Sequence, residues 1–215
     1  MSVKEIIFIL LAIVFIFFFP HLGWPPIPFG YAIIITAGVW IFLKRANENF
    51  SHLGFSFKRF ESKAIIIGAV AAIVIFVFLQ YLLFPALAKV IPLEKADLDD
   101  FKQVRHHVFN YIFFLLLSFL GGGFYEELVF HGFIFTRLEK IIPGKHSMRI
   151  SFLLTNIIFA LYHFQLGTSG VLNAFFAGCT YHALVIKYNR NLWYGFFVHG
   201  FFDTIAFTYI YLGYW

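Results

Sequence analysis

The sequence predicts an all-α protein, a polytopic transmembrane helix bundle of seven to eight spans. Three observations carry this reading. Hydrophobic residues make up 61% of the 215 and charged ones only 13%, against roughly 45–50% and about 25% in a soluble domain. The apolar residues come in runs of span length, and Lys and Arg gather at the ends of those runs. So large an apolar excess cannot be hidden in one core of this length, so lipid is the solvent for much of the surface. The net charge of +5 is not collected on one face or helix, as the footprint of a nucleic-acid-binding domain requires. Nucleic acid is therefore excluded as a partner, and the lipid bilayer is implied as one.

The apolar runs fall at about residues 5–20, 29–43, 64–90, 108–136, 150–166, 169–187 and 192–213. A span takes about 20 residues, with a range of roughly 17–25. The start, MSVKEIIFILLAIVFIFFF, is basic and then apolar, with no small-residue cleavage site before Pro20. It reads as a retained first span rather than a signal peptide. The second run is short and draws on Pro28. The third and fourth are long enough to tilt or break, which gives the eighth span if one of them divides. Basic loops alternate with non-basic ones. Residues 44–63 hold Lys44, Arg45, Lys58, Arg59 and Lys63, and 137–149 hold Arg137, Lys140, Lys145 and Arg149. Lys187 and Arg190 mark a third basic turn, whereas 20–28 and 165–170 carry no Lys or Arg. Segment 91–107 is mixed, with Glu94, Asp97, Asp99 and Asp100 against Lys95, Lys102 and Arg105. Basic loops stay in the cytoplasm, so the N-terminus is expected there and Trp215 outside. The single Cys179 lies in an apolar run and excludes a disulfide framework or cysteine-rich zinc site.

Against this background the stretch GGGFYEELVFHG, residues 121–132, stands out. Ionisable residues inside spans are costly and mark functional sites by default. They are Glu126, Glu127 and His131 in the fourth span, His163 in the fifth, His182 in the sixth, and His199 with Asp203 in the seventh. At about 1.5 Å per residue, Glu126 lies ~16 Å from Arg137, His163 ~20 Å from Ile150 and His199 ~11 Å from Leu192. Three helices thus bring polar groups to compatible depths in the middle or inner half of a ~30 Å core, a depth that suggests access from the cytoplasmic side. Glu127 and His131 share a helical face, as do His199 and Asp203, while Asn156, Phe159 and His163 line one stripe. Gly122 and Gly123 remove bulk on the Glu126 side, where another backbone can come close. His182 reads as a residue hydrogen-bonding between helices.

The chemistry suggested by this set is hydrolytic. A carboxylate held away from water can act as a general base near neutral pH. His163 is placed to hold the same water, and His199 with Asp203 to meet an oxyanion. Zinc is the rival use of Glu and His. The H-E-x-x-H spacing is absent, as is the Glu-x-x-His pair of di-iron bundles. Ligands collected from separate helices leave zinc possible, though no ligand spacing signals it, and no cofactor is expected. No G-x-S-x-G occurs, and Cys179 has no base nearby in sequence. A proton-coupled transporter would fit the buried carboxylates, but no inverted repeat is visible.

Three short motifs, EELVFH (126–131), FALYH (159–163) and HGFFD (199–203), resemble the E-E-x-x-x-R, F-x-x-x-H and H-x-x-x-N/D motifs of the CPBP family. That family comprises intramembrane proteases, the type II CAAX prenyl endopeptidases among them, together with bacteriocin-immunity (Abi) proteins. The resemblance covers about residues 108–205. It implies N-terminal spans and loops over 1–107 and a catalytic helical core over 108–215. It further implies an endopeptidase of a bacterial cell membrane, acting without metal on a peptide or membrane protein, some of these lipid-modified. By the same resemblance Glu126 activates water, Glu127 supports the site, His163 positions the water, and His199 with Asp203 stabilises the oxyanion. His131 and Asn156 are supporting residues. The alternative is a non-catalytic immunity or regulatory scaffold of the same fold. Two positions depart from the family: His131 stands where it has Arg, and the third motif ends in Asp203 rather than Asn. An ionised Asp203 would repel an oxyanion, so it must be protonated, paired with His199 or used otherwise.

Overall fold

The computed structural model describes residues 1–27, 29–94 and 96–214. Among them every regular element is helical, and seven helices form the bundle. They are α1 (Val3–Phe18), α2 (Gly30–Arg45), α3 (Lys63–Leu87), α4 (Val108–Ile141), α5 (Ser147–Tyr162), α6 (Gly167–Lys187) and α7 (Leu192–Leu212). Among the described residues four helices are long and apolar enough to cross a membrane: Val3–Leu22, α3, α4 and Phe164–Lys187. The chain is an integral membrane protein. Sequence reading expects seven to eight spans, and the difference has physical reasons. Helices α2 and α5 have 16 residues each, below the usual span length. Helix α7 is diluted by His199, Asp203 and its glycines. Neither α3 nor α4 breaks. Each instead widens into π-helix, over Phe78–Leu83 and Ser118–Ile134. The Pro28 extension of the second span, Lys95 of the mixed linker and the placement of Trp215 fall outside the described residues.

The two ends of the bundle are fastened differently. At the basic end Glu48 accepts from Arg137 and from Lys140 (2.6 Å), and Arg190 pairs with Glu139 at 2.7 and 2.9 Å. The Leu192 amide donates to the Gly54 carbonyl at 3.1 Å. Gly54 has φ +105°, and a Cβ there would run into the Arg190 carbonyl oxygen, so only glycine fits. Asn191 caps α7 by accepting from the Trp193 amide at 3.2 Å, a preferred N-cap arrangement. At the opposite end the Tyr81 and Tyr209 hydroxyls meet at 2.8 Å. There the His106 amide donates to Tyr211 O and the Asp97 amide to Leu166 O, at 3.1 and 3.2 Å. Helix α7 runs between α3, α4 and α6. Small residues let it approach closely: a Cβ on Gly68 would meet Phe197 Cβ at 2.6 Å, and one on Gly123 the Phe196 carbonyl oxygen at 2.7 Å. The close backbone that the Gly122–Gly123 pair admits at Gly123 is thus that of α7.

Candidate active site

The glutamate pair of α4 divides its two carboxylates between different surroundings. Glu127 is 1% exposed and points into the bundle. Its Oε1 lies 2.9 Å from His199 Nδ1 and its Oε2 2.9 Å from His131 Nδ1. A carboxylate only accepts, so both imidazoles donate through Nδ1 and Glu127 clamps them. The sequence provides the room for it on α7: a Cβ on Gly195 would collide with Glu127 Oε2 and lie 2.9 Å from its Cδ.

Glu126 instead lines a cavity of about 1360 Å³, together with Tyr162, His163, Tyr181, His199 and Asp203. Its Oε2 lies 3.7 Å from His199 Nε2 and 3.8 Å from His163 Nε2, and has no hydrogen-bond partner among the described residues. His163 sits at the C-cap of α5, where its Nδ1 donates to the Phe159 carbonyl oxygen at 2.8 Å. That bond aims Nε2 at Glu126. His199 is held from behind by Glu127 and stacked on Tyr181 (centroids 4.5 Å, interplanar 28°). Its Nε2 is 3.6 Å from Asp203 Oδ2 one turn on. Opposite this pair a Cβ on Gly122 would strike Asp203 Oδ2 and come within 2.9 Å of His199 Nε2. Glycine at 122 therefore keeps open the space in which Glu126, His199 and Asp203 face one another. Separations of 3.6–3.8 Å are too long for direct hydrogen bonds but suit one shared water or substrate oxygen.

Behind the cavity runs a second row of polar groups. The ring of His131 stacks on that of His182 (4.6 Å, 26°), and Asn156 Nδ2 lies 3.0 Å from His182 Nδ1 and 2.8 Å from the Phe152 carbonyl oxygen. His182 thus links α6 to α5 by a hydrogen bond, as the sequence suggests. Asn156 shares the helical stripe of His163 but does not line the cavity. It is fully buried and braces His182.

Several neighbours escape a reading of the sequence. Tyr31 and Tyr162 line the cavity beside Glu126, with Tyr125 packed against Tyr31 at 5.9 Å. Among the described residues the Tyr125 and Tyr162 hydroxyls are buried with no hydrogen-bond partner. A signal was available for two of them, since Tyr125 precedes the glutamate pair and Tyr162 precedes His163 in the chain. Gly195 and Tyr181 had none.

Among the described residues no group of three or more His, Cys, Asp or Glu side chains is placed to hold a metal ion. Both Glu127 oxygens are taken by imidazoles, so the donors that face the cavity are Glu126 Oε2, His163 Nε2, His199 Nε2 and Asp203 Oδ2.

Comparison with known proteins gives one positive finding. A family model described as type II CAAX prenyl endopeptidase Rce1-like matches residues 108–205. No curated protein and no solved structure gives a match.

Proposed function

We propose that the chain, whose residues 108–205 match the Rce1-like family model, is an intramembrane endopeptidase using a glutamate-activated water. The observation that carries this is the position of Glu126 Oε2, without a partner and facing both His163 Nε2 and His199 Nε2. A water held by Glu126 and His163 loses a proton to the Glu126 carboxylate as its oxygen attacks the scissile carbonyl carbon. The carbonyl oxygen gains negative charge and is met by the Nε2–H of His199 in its imidazolium form, whose Nδ1–H Glu127 holds. Glu126 then returns its proton to the leaving nitrogen as the C–N bond breaks, giving a carboxylate and an amine. Asp203 pairs with His199 in this scheme, which answers the repulsion that an ionised Asp203 alone would bring.

Within the same reading the bundle has seven spans with the basic loops and the N-terminus in the cytoplasm. Residues 1–107 enclose a catalytic core of 108–215, and His131 takes the place of the family Arg as partner of Glu127. The substrate is a peptide or membrane protein at the bilayer. Glu126→Gln is the direct test. It preserves shape and hydrogen-bond reach but cannot accept the proton. Cleavage of a quenched fluorescent peptide by the purified protein in lipid nanodiscs should be lost, with thermal unfolding unchanged. Full cleavage by the Gln variant would leave the scaffold reading standing.

A further inference from the structure

The cavity and the basic loops lie at opposite ends of the bundle. Walls of the cavity come from the end of α1 (Pro20, His21), the end of α3 (Tyr81, Ala88), the α5–α6 turn (Gln165, Leu166) and the end of α7. The linker between α3 and α4 contributes Glu94 and Asp100. This is the end tied together by Tyr81 with Tyr209 and by Asp97 with Leu166. Toward the other end the cavity stops at Glu126 and His199. Beyond them Leu128, Val129, Phe130, Phe133 and Ile134 are each 0–1% exposed, and Leu43, Leu53 and Leu192 close the layer at 0–2%. The loops past that floor hold Lys44, Arg45, Lys58, Arg59, Lys140, Lys145, Arg149, Lys187 and Arg190. On the cavity side Lys89, Lys102 and Arg105 are matched by Glu94, Asp97, Asp99 and Asp100.

Short loops rich in Lys and Arg remain in the cytoplasm, whereas balanced ones do not fix themselves there. We infer that the site takes its substrate from the non-cytoplasmic face of the membrane, in contrast to the cytoplasmic access that the depth of the motifs suggests. The inference rests on reading the cavity as the proteolytic site, and it narrows the substrate class. The described lining residues include no Lys or Arg, and the carboxyl groups of Glu94 and Asp100 stand on the approach to Glu126. An acidic segment or a free C-terminal carboxylate meets like-charge repulsion along that path. A segment combining aromatic or aliphatic residues with Lys or Arg is complementary to it. The substrate is thus an apolar, basic or uncharged peptide presented outside the cytoplasm.

Thiol accessibility tests the side of entry without relying on catalysis. In a Cys179→Ala background, Asn173→Cys and Gln165→Cys report the cavity and its rim, and Lys145→Cys reports the basic loop. A membrane-impermeant, permanently charged methanethiosulfonate is added to intact cells and to inverted vesicles. Both cavity cysteines should label in intact cells, and the Lys145→Cys protein only in inverted vesicles. The reverse pattern overturns the inference. Two twelve-residue peptides of alternating Phe and Lys, or Phe and Glu, then compete with the reagent. The Lys peptide should slow labelling of Asn173→Cys at least tenfold more than the Glu peptide, and equal protection overturns the charge preference. Labelling from outside with neither peptide cleaved would uphold the side of entry while sinking the proteolytic reading, so the two failures are distinguishable.

Discussion

Replacing Gly195 by Ala adds one methyl group at the point where α7 passes the buried carboxylate of Glu127. Built on the present backbone, that methyl overlaps Glu127 Oε2 and lies 2.9 Å from both Glu127 Cδ and Val185 Cγ2. Glu127 has little freedom to yield, being 1% exposed and fixed by two bonds of 2.9 Å. Relief therefore requires the carboxylate to shift, which breaks the Oε2 bond to His131 Nδ1 and turns Oε1 away from His199 Nδ1. A hydrogen bond involving a charged group contributes about 1.5–3 kcal/mol, and its loss frees the imidazole that is to meet the oxyanion. With about 1.36 kcal/mol per factor of ten, the expected fall in kcat is roughly 10- to 150-fold, accompanied by a lower Tm. Gly38→Ala is the matched control. It adds the same methyl to a membrane helix where nothing lies within 4 Å, and there the change should be neutral or stabilise by about 0.5–1 kcal/mol. Peptide cleavage and thermal unfolding of both variants in the same detergent provide the comparison. A Gly195→Ala protein with parental kcat and Tm would refute the view that a clamped Glu127 orients His199.

Three further outcomes are expected. His131→Ala leaves one Glu127 oxygen without its 2.9 Å partner and should lower cleavage by roughly 10- to 150-fold on the same arithmetic. His131→Arg, with a charge that does not titrate in the usable range, should keep activity and extend it to higher pH. Rates across about pH 5.5–9 decide this, and an alanine variant equal to the parent at every pH reduces His131 to packing. At the basic end, burial opposes ionisation of Glu48, but hydrogen bonds from Arg137 and Lys140 outweigh it and hold the carboxyl at about 2 instead of 4.5. A depressed folded value stabilises above the unfolded value. The contribution should therefore be complete above pH 4.5 and fade toward pH 2, so acid unfolding should be blunted in Glu48→Gln. Cleavage should also survive EDTA and phenanthroline. Stoichiometric zinc in the purified protein, with activity restored only by zinc, would replace the glutamate mechanism.

Much of this was legible in the sequence because it is written locally. Apolar runs and basic ends locate the helices to within a few residues, and i, i+4 spacing correctly puts His131 near Glu127 and Asp203 near His199. Cross-helix relations left no such trace. Nothing adjacent to Gly195 in the chain reveals that its missing side chain accommodates a carboxylate on α4. The stacking of His131 on His182 likewise joins residues 51 positions apart. The π-helical stretch Ser118–Ile134 is equally silent, since apolar residues on all sides of a buried helix obscure its period. The direction in which the cavity opens along the bundle was not legible. That depends on which helix ends splay and which pack, and only the assembled floor of Leu128, Val129 and Phe130 determines it.

That floor has a bearing on turnover. On the proteolytic reading, a chamber closed beneath its reactive groups works as a cul-de-sac: water, peptide and both fragments share the approach from one side. The new amine and carboxylate ends must back out along the route by which the parent peptide came in. A fragment that lingers there excludes the next substrate and the next water together, so cleaved peptides should act as competitive inhibitors. Fragment departure, rather than bond breaking, then sets the pace when the peptide carries a large apolar segment.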